Sequence, residues 1–398
     1  ADEYVGHLFS GLVRMNTDLQ VEPDLAERWD VSADGKEYTF TLREGLAFQS
    51  GKPITAQDVR ASWERAADPN LDSHTVDSYL GDIVGFDEKV NGEAQQISGL
   101  EIIDDRTLKV TIDEAKPYFL AKLTYPATFI VDQENIESGG EDWVFLPNAS
   151  GPYGLRNYLA EEGMVFERNP NYHTPVALEY VVYLFDHPGS HTSIFEAGVA
   201  DVVRIGPFDA REIQDPSHAL NAQLHVTTSM CTSMFLLNNS LPPMDDPLVR
   251  EALVRSIDRD LLNENFFNSM EIPAFNILPP AMPGHSDELS IASFDPQAAY
   301  TALQASTYAG DLPQIVITDW GYGDEEDPFI DAVINMWREN LGIEVEVEYL
   351  DPDNFSKQAL NQENQVVSYG WCADYPDPEN FLDLLFNSQG GFNVAGYS

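Results

Sequence analysis

The chain has 398 residues, 43% hydrophobic and 11% aromatic, which excludes a disordered chain and predicts two or three packed lobes. Its 67 acidic and 21 basic residues give a formal net charge of −46, which argues against partners such as nucleic acid or anionic membranes. The acidic residues are spread over the whole length, which is typical of a surface adapted to high salt, with acid tolerance as the alternative.

The first residues lack the basic segment of an export signal, and no apolar run approaches the roughly 20 residues of a membrane-spanning helix. We therefore expect this chain to be soluble, with any export signal or lipid anchor upstream of Ala1.

The first half of the chain predicts strands and a capped helix. Apolar and polar residues alternate from Tyr38 to Leu42 and from Leu108 to Ile112, which predicts half-buried strands. Thr55 is placed to cap a helix that carries Val59, Trp63 and Ala66 on one side.

The second half predicts a helix, a glycine stop and a strand. Asp246-Pro247 opens a helix whose Val249, Leu253, Ile257 and Leu261 are expected on a single stripe. Asp327-Pro328 opens another, which carries Ile330, Ile334, Trp337 and Leu341, ends at Gly342 and leads into a strand over 343–347. Such units build mixed α/β lobes.

Short motifs follow one another in a fixed order along the chain. They are Gly11-Leu12-Val13, Pro23 to Trp29, Asp34-Gly35, Tyr38 to Arg43, Gly51 to Val59, Gly151-Pro152-Tyr153, Glu167 to Tyr172, Gly198 with Asp201, and Ile257-Asp258-Arg259. Together they resemble the family 5 solute-binding proteins of ABC transporters, which include oligopeptide-, dipeptide- and nickel-binding members. The resemblance covers nearly the whole chain and is nearest to the oligopeptide branch.

The resemblance implies an α/β, two-lobed periplasmic-binding-protein type II fold that closes like a flytrap, with an extra domain inserted in the first lobe. Residues 1–9 and 132–230 would form lobe 1, residues 10–131 the inserted domain, and residues 231–398 lobe 2. A strand before Ala1 and a stretch after Ser398 that returns to lobe 1 would complete the family pattern.

Cys231 and Cys372 stand where the oligopeptide branch carries a disulfide, so the resemblance implies a bridge between them. Two buried free thiols are the alternative. Two sulfurs with no nearby histidine pattern do not predict a metal site, and no cofactor is expected.

The segment from Gly370 to Pro376 resembles the peptide-binding segment of that branch. The resemblance implies that the backbone of Gly370 and Cys372 pairs with a bound peptide as an added strand. Asp374 would hold the peptide's ammonium group, and Trp371 would form a flat wall for a side chain. Without the resemblance, Asp-Tyr-Pro-Asp-Pro is an ordinary turn, and Asp377 is assigned to that turn.

The chain departs from the branch at three places, one of them near Pro352, where a tryptophan of the branch is replaced. Ser368 stands where tripeptide binders can carry an arginine for the ligand carboxylate, and Trp320 to Glu326 replaces a histidine-bearing loop. Ligand length and charge preference therefore stay open. The acidic residues of that loop would favour basic peptides, or they are ordinary solvated surface.

His187 and His191 are four residues apart, but Pro188 and Gly189 between them break any helix that could present both to zinc. The chain has no nucleophile elbow, zinc-protease pair or phosphate-binding glycine loop.

The sequence thus predicts a receptor, not an enzyme, that is monomeric and periplasmic or extracellular, with or without a lipid anchor. It would deliver peptides to the permease subunits of an ABC transporter. An oligosaccharide or a metal chelate such as a nickel complex is the alternative ligand, and an enzyme or coat protein on this scaffold is the alternative class.

Overall fold

The computed structural model describes residues 2–71, 73, 75–289, 293–321, 327–388 and 390–397. Its contacts divide the chain into two units, residues 1–188 and residues 189–398. No helix among these described residues is both long enough and apolar enough to cross a bilayer.

Unit 1 is built on antiparallel strands. They are β1 Val13–Met15, β2 Val21–Pro23, β3 Ala26–Val31, β4 Glu37–Leu42, β5 Leu100–Asp104, β6 Thr107–Thr111, β7 Tyr153–Leu159, β8 Gly163–Arg168 and β9 Tyr180–Leu184. β1 pairs with β2, a four-stranded sheet has the order β3-β4-β6-β5, and β7-β8-β9 form a third sheet. The two strands predicted in this half are thus confirmed as β4 and β6.

Helices cover the sheets of unit 1. They are α1 Asp2–Leu8, α2 Ala56–Ala66, α3 Val76–Leu80, α4 Phe86–Val90, α5 Phe119–Lys122 and α6 Gln133–Gly139. α2 begins after Thr55, as predicted, and the Asp58 carboxylate accepts hydrogen bonds from the Thr55 amide (2.8 Å) and hydroxyl (2.7 Å). Trp63 is fully buried, and its indole N–H donates to the Thr128 carbonyl at 2.7 Å, which fixes the helix against the core.

Unit 2 contains one mixed sheet with helices around it. Its strands are β10 Cys231–Leu237, β11 Ile315–Trp320, β12 Val345–Leu350 and β13 Val366–Cys372. Its helices are α7 His191–Glu196, α8 Pro207–Ile213, α9 Pro247–Arg255, α10 Arg259–Phe267, α11 Pro296–Ala305, α12 Pro328–Leu341, α13 Pro352–Leu360 and α14 Glu379–Phe386.

The strand order in this sheet is β10-β13-β11-β12. β11 runs parallel to β12 and β13, whereas β10 is antiparallel to β13. The carboxyl ends of the three parallel strands therefore share one edge of the sheet, and each strand is followed by a helix. In open α/β sheets this edge is where ligands bind.

The helix predicted after Asp327 is confirmed as α12. Ile330, Ile334, Trp337 and Leu341 are all buried, and Gly342 adopts φ +72°, a left-handed conformation suited to glycine at a helix end. The following strand begins at Val345, two residues later than predicted.

The single stripe predicted from Val249 to Leu261 is wrong. α9 ends at Arg255, and α10 begins after Asp258, whose carboxylate accepts from the Leu261 amide at 3.0 Å. This side-chain bond caps a new helix instead of extending the old one. Leu261 is accordingly 44% exposed.

Pro188 and Gly189 prevent a helix between His187 and His191, as predicted. Gly189 has φ +97°, and the next helix starts only at His191, with Ser190 as its cap.

The candidate ligand-binding site

β13 is paired on both sides at its amino end and on one side at its carboxyl end. Its pairing with β11 runs only from Ile317↔Val366 to Thr318↔Val367. Its pairing with β10 continues along the whole strand to Cys231↔Cys372. The sheet is therefore open between β13 and β11 at the carboxyl edge.

The ladder with β10 shows which backbone groups face the opening. The Ala373 amide donates to the Met230 carbonyl at 2.8 Å, so residue 373 points toward the β10 side. In an antiparallel ladder successive residues point to opposite sides. Cys372 and Gly370 therefore direct their N–H and C=O groups away from β10, and both residues are exposed.

β11 forms the other side of the opening. Beyond Thr318 it remains paired with β12, through Asp319↔Tyr349 and Trp320↔Leu350. Trp320 is 59% exposed, whereas Asp319 is only 7% exposed. The opening thus has a strand edge on one side and a buried carboxylate with an exposed indole on the other.

A disulfide joins Cys231 to Cys372, with Cα atoms 3.9 Å apart, so the predicted bridge is confirmed and the free-thiol alternative is wrong. The bridge links directly opposite residues at the carboxyl end of β13. It spans 141 positions in sequence. In the chain-entropy model a loop of this length adds about 5 kcal/mol to the free energy of unfolding.

Asn380 organises the turn that follows β13. Its side-chain oxygen accepts from the backbone amide of Asp374 and from the indole N–H of Trp371, both at 3.1 Å. Asn380 is completely buried at the start of α14. One buried acceptor therefore sets the positions of two predicted site residues.

Asp377 belongs to the turn, as predicted. Its carboxylate accepts from the Glu379 amide at 3.0 Å, and its carbonyl accepts from the Asn380 amide at 3.1 Å. Asp374 is half-buried on the amino-terminal side of this turn, immediately beyond the open end of β13.

Trp371 packs on aromatic neighbours. Its ring lies parallel to that of Tyr369 at 6.5 Å between centroids and at 5.1 Å from that of Phe392. The side chain remains half-buried, so part of it stays accessible. Burial raises the pKa of Tyr369 to about 12, which keeps this wall of the site uncharged.

Burial perturbs two further groups near the opening. It raises the pKa of the Tyr375 phenol, and the Glu379 carboxylate, which accepts the phenol's hydrogen bond at 2.5 Å, adds to the effect. Burial also raises the pKa of Asp319, against the hydrogen bond that the Ser368 hydroxyl donates to it.

Gly370, Trp371 and Cys372 lie at the carboxyl end of β13, and Asp374 lies two residues beyond it. Sequence reasoning missed Asn380, whose role depends on how the turn after β13 folds back on the strand. It also missed the burial of Asp319 beside the open end of β13. Five residues of the acidic loop, 322–326, lie outside the described residues.

Within the described part of the chain, no three His, Cys, Asp or Glu side chains are grouped so that they could hold a metal ion.

Residues 20–393 match the family model of the bacterial extracellular solute-binding proteins, family 5. The chain belongs to this family. The match covers almost the whole chain and extends over most of both structural units.

Similar proteins support the same assignment. The periplasmic oligopeptide-binding protein OppA of Escherichia coli is 30% identical over 98% of this chain and 74% of its own length. A crystal structure of the Borrelia burgdorferi oligopeptide-binding protein OppAIV covers all of this chain and 80% of its own, with 27% identity and a TM-score of 0.80. The murein tripeptide-binding protein MppA of E. coli covers all of this chain and 79% of its own, with 27% identity and a TM-score of 0.81. The predicted family fold is thus confirmed.

Proposed function

We propose that this protein is an extracytoplasmic receptor that captures short peptides and delivers them to the permease of an ABC transporter. The observation that carries the proposal is the open edge of β13, where Gly370 and Cys372 present backbone groups that no strand pairs with in the described sheet. A peptide can add to such an edge as a strand, and main-chain bonds then give affinity that is independent of side-chain identity.

Asp374 is proposed as the partner of the peptide's ammonium group. It lies just beyond the open end of β13, so a ligand strand that pairs with Cys372 and Gly370 would have one terminus beside it. A carboxylate favours the amino terminus there because the bond is charge-assisted. Trp371 is proposed as a wall for a ligand side chain, because part of its ring stays accessible.

The relatives support this class of ligand, since OppA of E. coli is a periplasmic oligopeptide-binding protein and MppA a murein tripeptide-binding protein. By the same likeness we place this chain outside the cytoplasmic membrane, with permease subunits as its partners. We propose that it acts as a monomer and binds its ligand without chemical change. We also propose lobe 1 at 1–9 and 132–230, an inserted domain at 10–131 and lobe 2 at 231–398.

The test is calorimetric titration with tetra-alanine and with its N-acetylated form. Wild-type protein should bind the free peptide about 10- to 100-fold more tightly, because acetylation removes the ammonium charge. Asp374→Asn should lose a similar factor for the free peptide and should no longer distinguish the two forms. This double cycle isolates the interaction between Asp374 and the peptide's ammonium group from the other effects of the substitution or of the acetylation.

Asp377→Asn is the matched control. It removes the same charge three residues away and keeps an oxygen that can accept from the Glu379 amide. Its affinity should equal that of the wild type. Equal binding of free and acetylated peptide by the wild type would remove Asp374 from the site, and no binding of any peptide would reject the proposed function.

A further inference from the structure

A buried carboxylate lies at the closed end of the opening between β13 and β11. Asp319 follows Thr318, the last residue of β11 that pairs with β13, and is 7% exposed. Ser368, on β13, is the next residue in register beside it, one step beyond the last pair, Thr318↔Val367. The carboxylate therefore lies where the two strands separate.

Asp319 has no cationic partner within the described part of the chain. None of the ion pairs found there includes it, and the one charged group that acts on it is the carboxylate of Asp327. A buried carboxylate without a positive partner is costly to ionise, and a cation brought to it by a ligand would offset that cost.

The carboxylate shares a sheet face with the open edge of β13. Ser368, the register neighbour of Asp319, alternates along the strand with Gly370 and Cys372, so the three residues face the same side. At Gly370 that face has room, since a Cβ added there would meet nothing nearer than the Ser233 hydroxyl oxygen at 3.9 Å.

The orientation of the ligand follows from the proposed function. With its ammonium group at Asp374, a ligand strand runs back along β13 from Cys372 toward Ser368. The four residue steps from Cys372 to Ser368 cover about 13 Å along the strand. If ligand residue 1 lies opposite Cys372, residue 3 lies opposite Gly370, with its side chain on the face that Asp319 shares.

We propose that Asp319 selects peptides that carry a lysine or arginine at the third position. This inference rests on the proposed function and goes beyond it, because it names a specificity residue and the charge of the preferred ligand.

The experiment compares the affinities of tetrapeptides of alanine that carry lysine, glutamine or glutamate at position 3. Wild-type protein should bind the lysine peptide about tenfold more tightly than the glutamine peptide and should bind the glutamate peptide most weakly. Asp319→Asn should bind all three with nearly equal affinity. Lysine at position 2, on the opposite face, should show no dependence on Asp319.

The matched control is Glu363→Gln, which removes one negative charge from an exposed site near the amino end of β13. It should keep the lysine preference, which separates a local contact from the general attraction of a chain with net charge −46. If the three peptides bind the wild type equally, or if the preference survives in Asp319→Asn, the inference is wrong while peptide binding stands. If no tetrapeptide binds the wild type, the proposed function itself fails.

Discussion

The two ends of strand β13 have the same neighbour on one side and different surroundings on the other. At the amino end, Val366 and Val367 pair with both β10 and β11 and are 0% and 1% exposed. At the carboxyl end, Gly370 and Cys372 pair with β10 alone and are exposed. The amino end contributes buried apolar contacts to stability, and the carboxyl end leaves backbone groups for another strand.

An open strand end needs support that pairing does not supply. Here the support comes from the disulfide, which fixes Cys372 to β10, and from Asn380, which holds the following turn. We therefore expect loss of the disulfide or of a buried side chain at the amino end to lower stability, and loss of a backbone amide at the carboxyl end to lower peptide affinity.

The largest expected effect comes from removal of the disulfide. The double variant Cys231→Ser, Cys372→Ser should lose up to about 5 kcal/mol of unfolding free energy, because the unfolded chain regains the entropy of a loop of 141 positions. Denaturant unfolding at fixed salt measures the change. An unfolding midpoint identical to that of the wild type would show that the bridge does not support the open end.

A smaller loss of stability is expected at the paired end. Val366→Ala should cost about 2 kcal/mol of unfolding free energy, since it removes two methyl groups from a fully buried position. Peptide affinity, measured by titration under conditions where the variant is folded, should stay at the wild-type value. Loss of affinity without loss of stability would reverse the roles assigned to the two ends.

The smallest effect is expected at the open end. Gly370→Pro removes an amide that points into the opening, so peptide binding should weaken by about 1 kcal/mol, the net value of one hydrogen bond. The unfolding midpoint should change little, because this amide does not pair with β10.

Gly370→Ala provides the control for this prediction, because it keeps the amide and the site has room for the added methyl group. Unchanged affinity in the proline variant would mean that the ligand does not pair with this edge.

Local signals in the sequence predicted much of the fold. Asp327-Pro328 and Gly342 mark the ends of α12 because capping and left-handed backbone depend on residues within one turn. The break at Asp258 was missed because apolar periodicity continues across it, while a side-chain bond to Leu261 starts a new helix.

The candidate site was predictable in part. Motif resemblance proposed Gly370, Trp371, Cys372 and Asp374 as site residues from their order alone. It gave no information on Asn380, whose side-chain oxygen reaches back over the turn to residues six and nine positions earlier, or on Asp319, whose burial depends on the approach of β11 to β13. The sequence also could not predict that the carboxyl end of β13 pairs on one side only, because this depends on where β11 separates from β13.

The disulfide has a further consequence if a protease cuts the chain. Because Cys231 and Cys372 enclose most of unit 2, a single cut anywhere between them leaves both fragments covalently joined at the end of β13. Such a nicked chain would migrate as one species until it is reduced, and its ladder between β10 and β13 could hold the fragments in register.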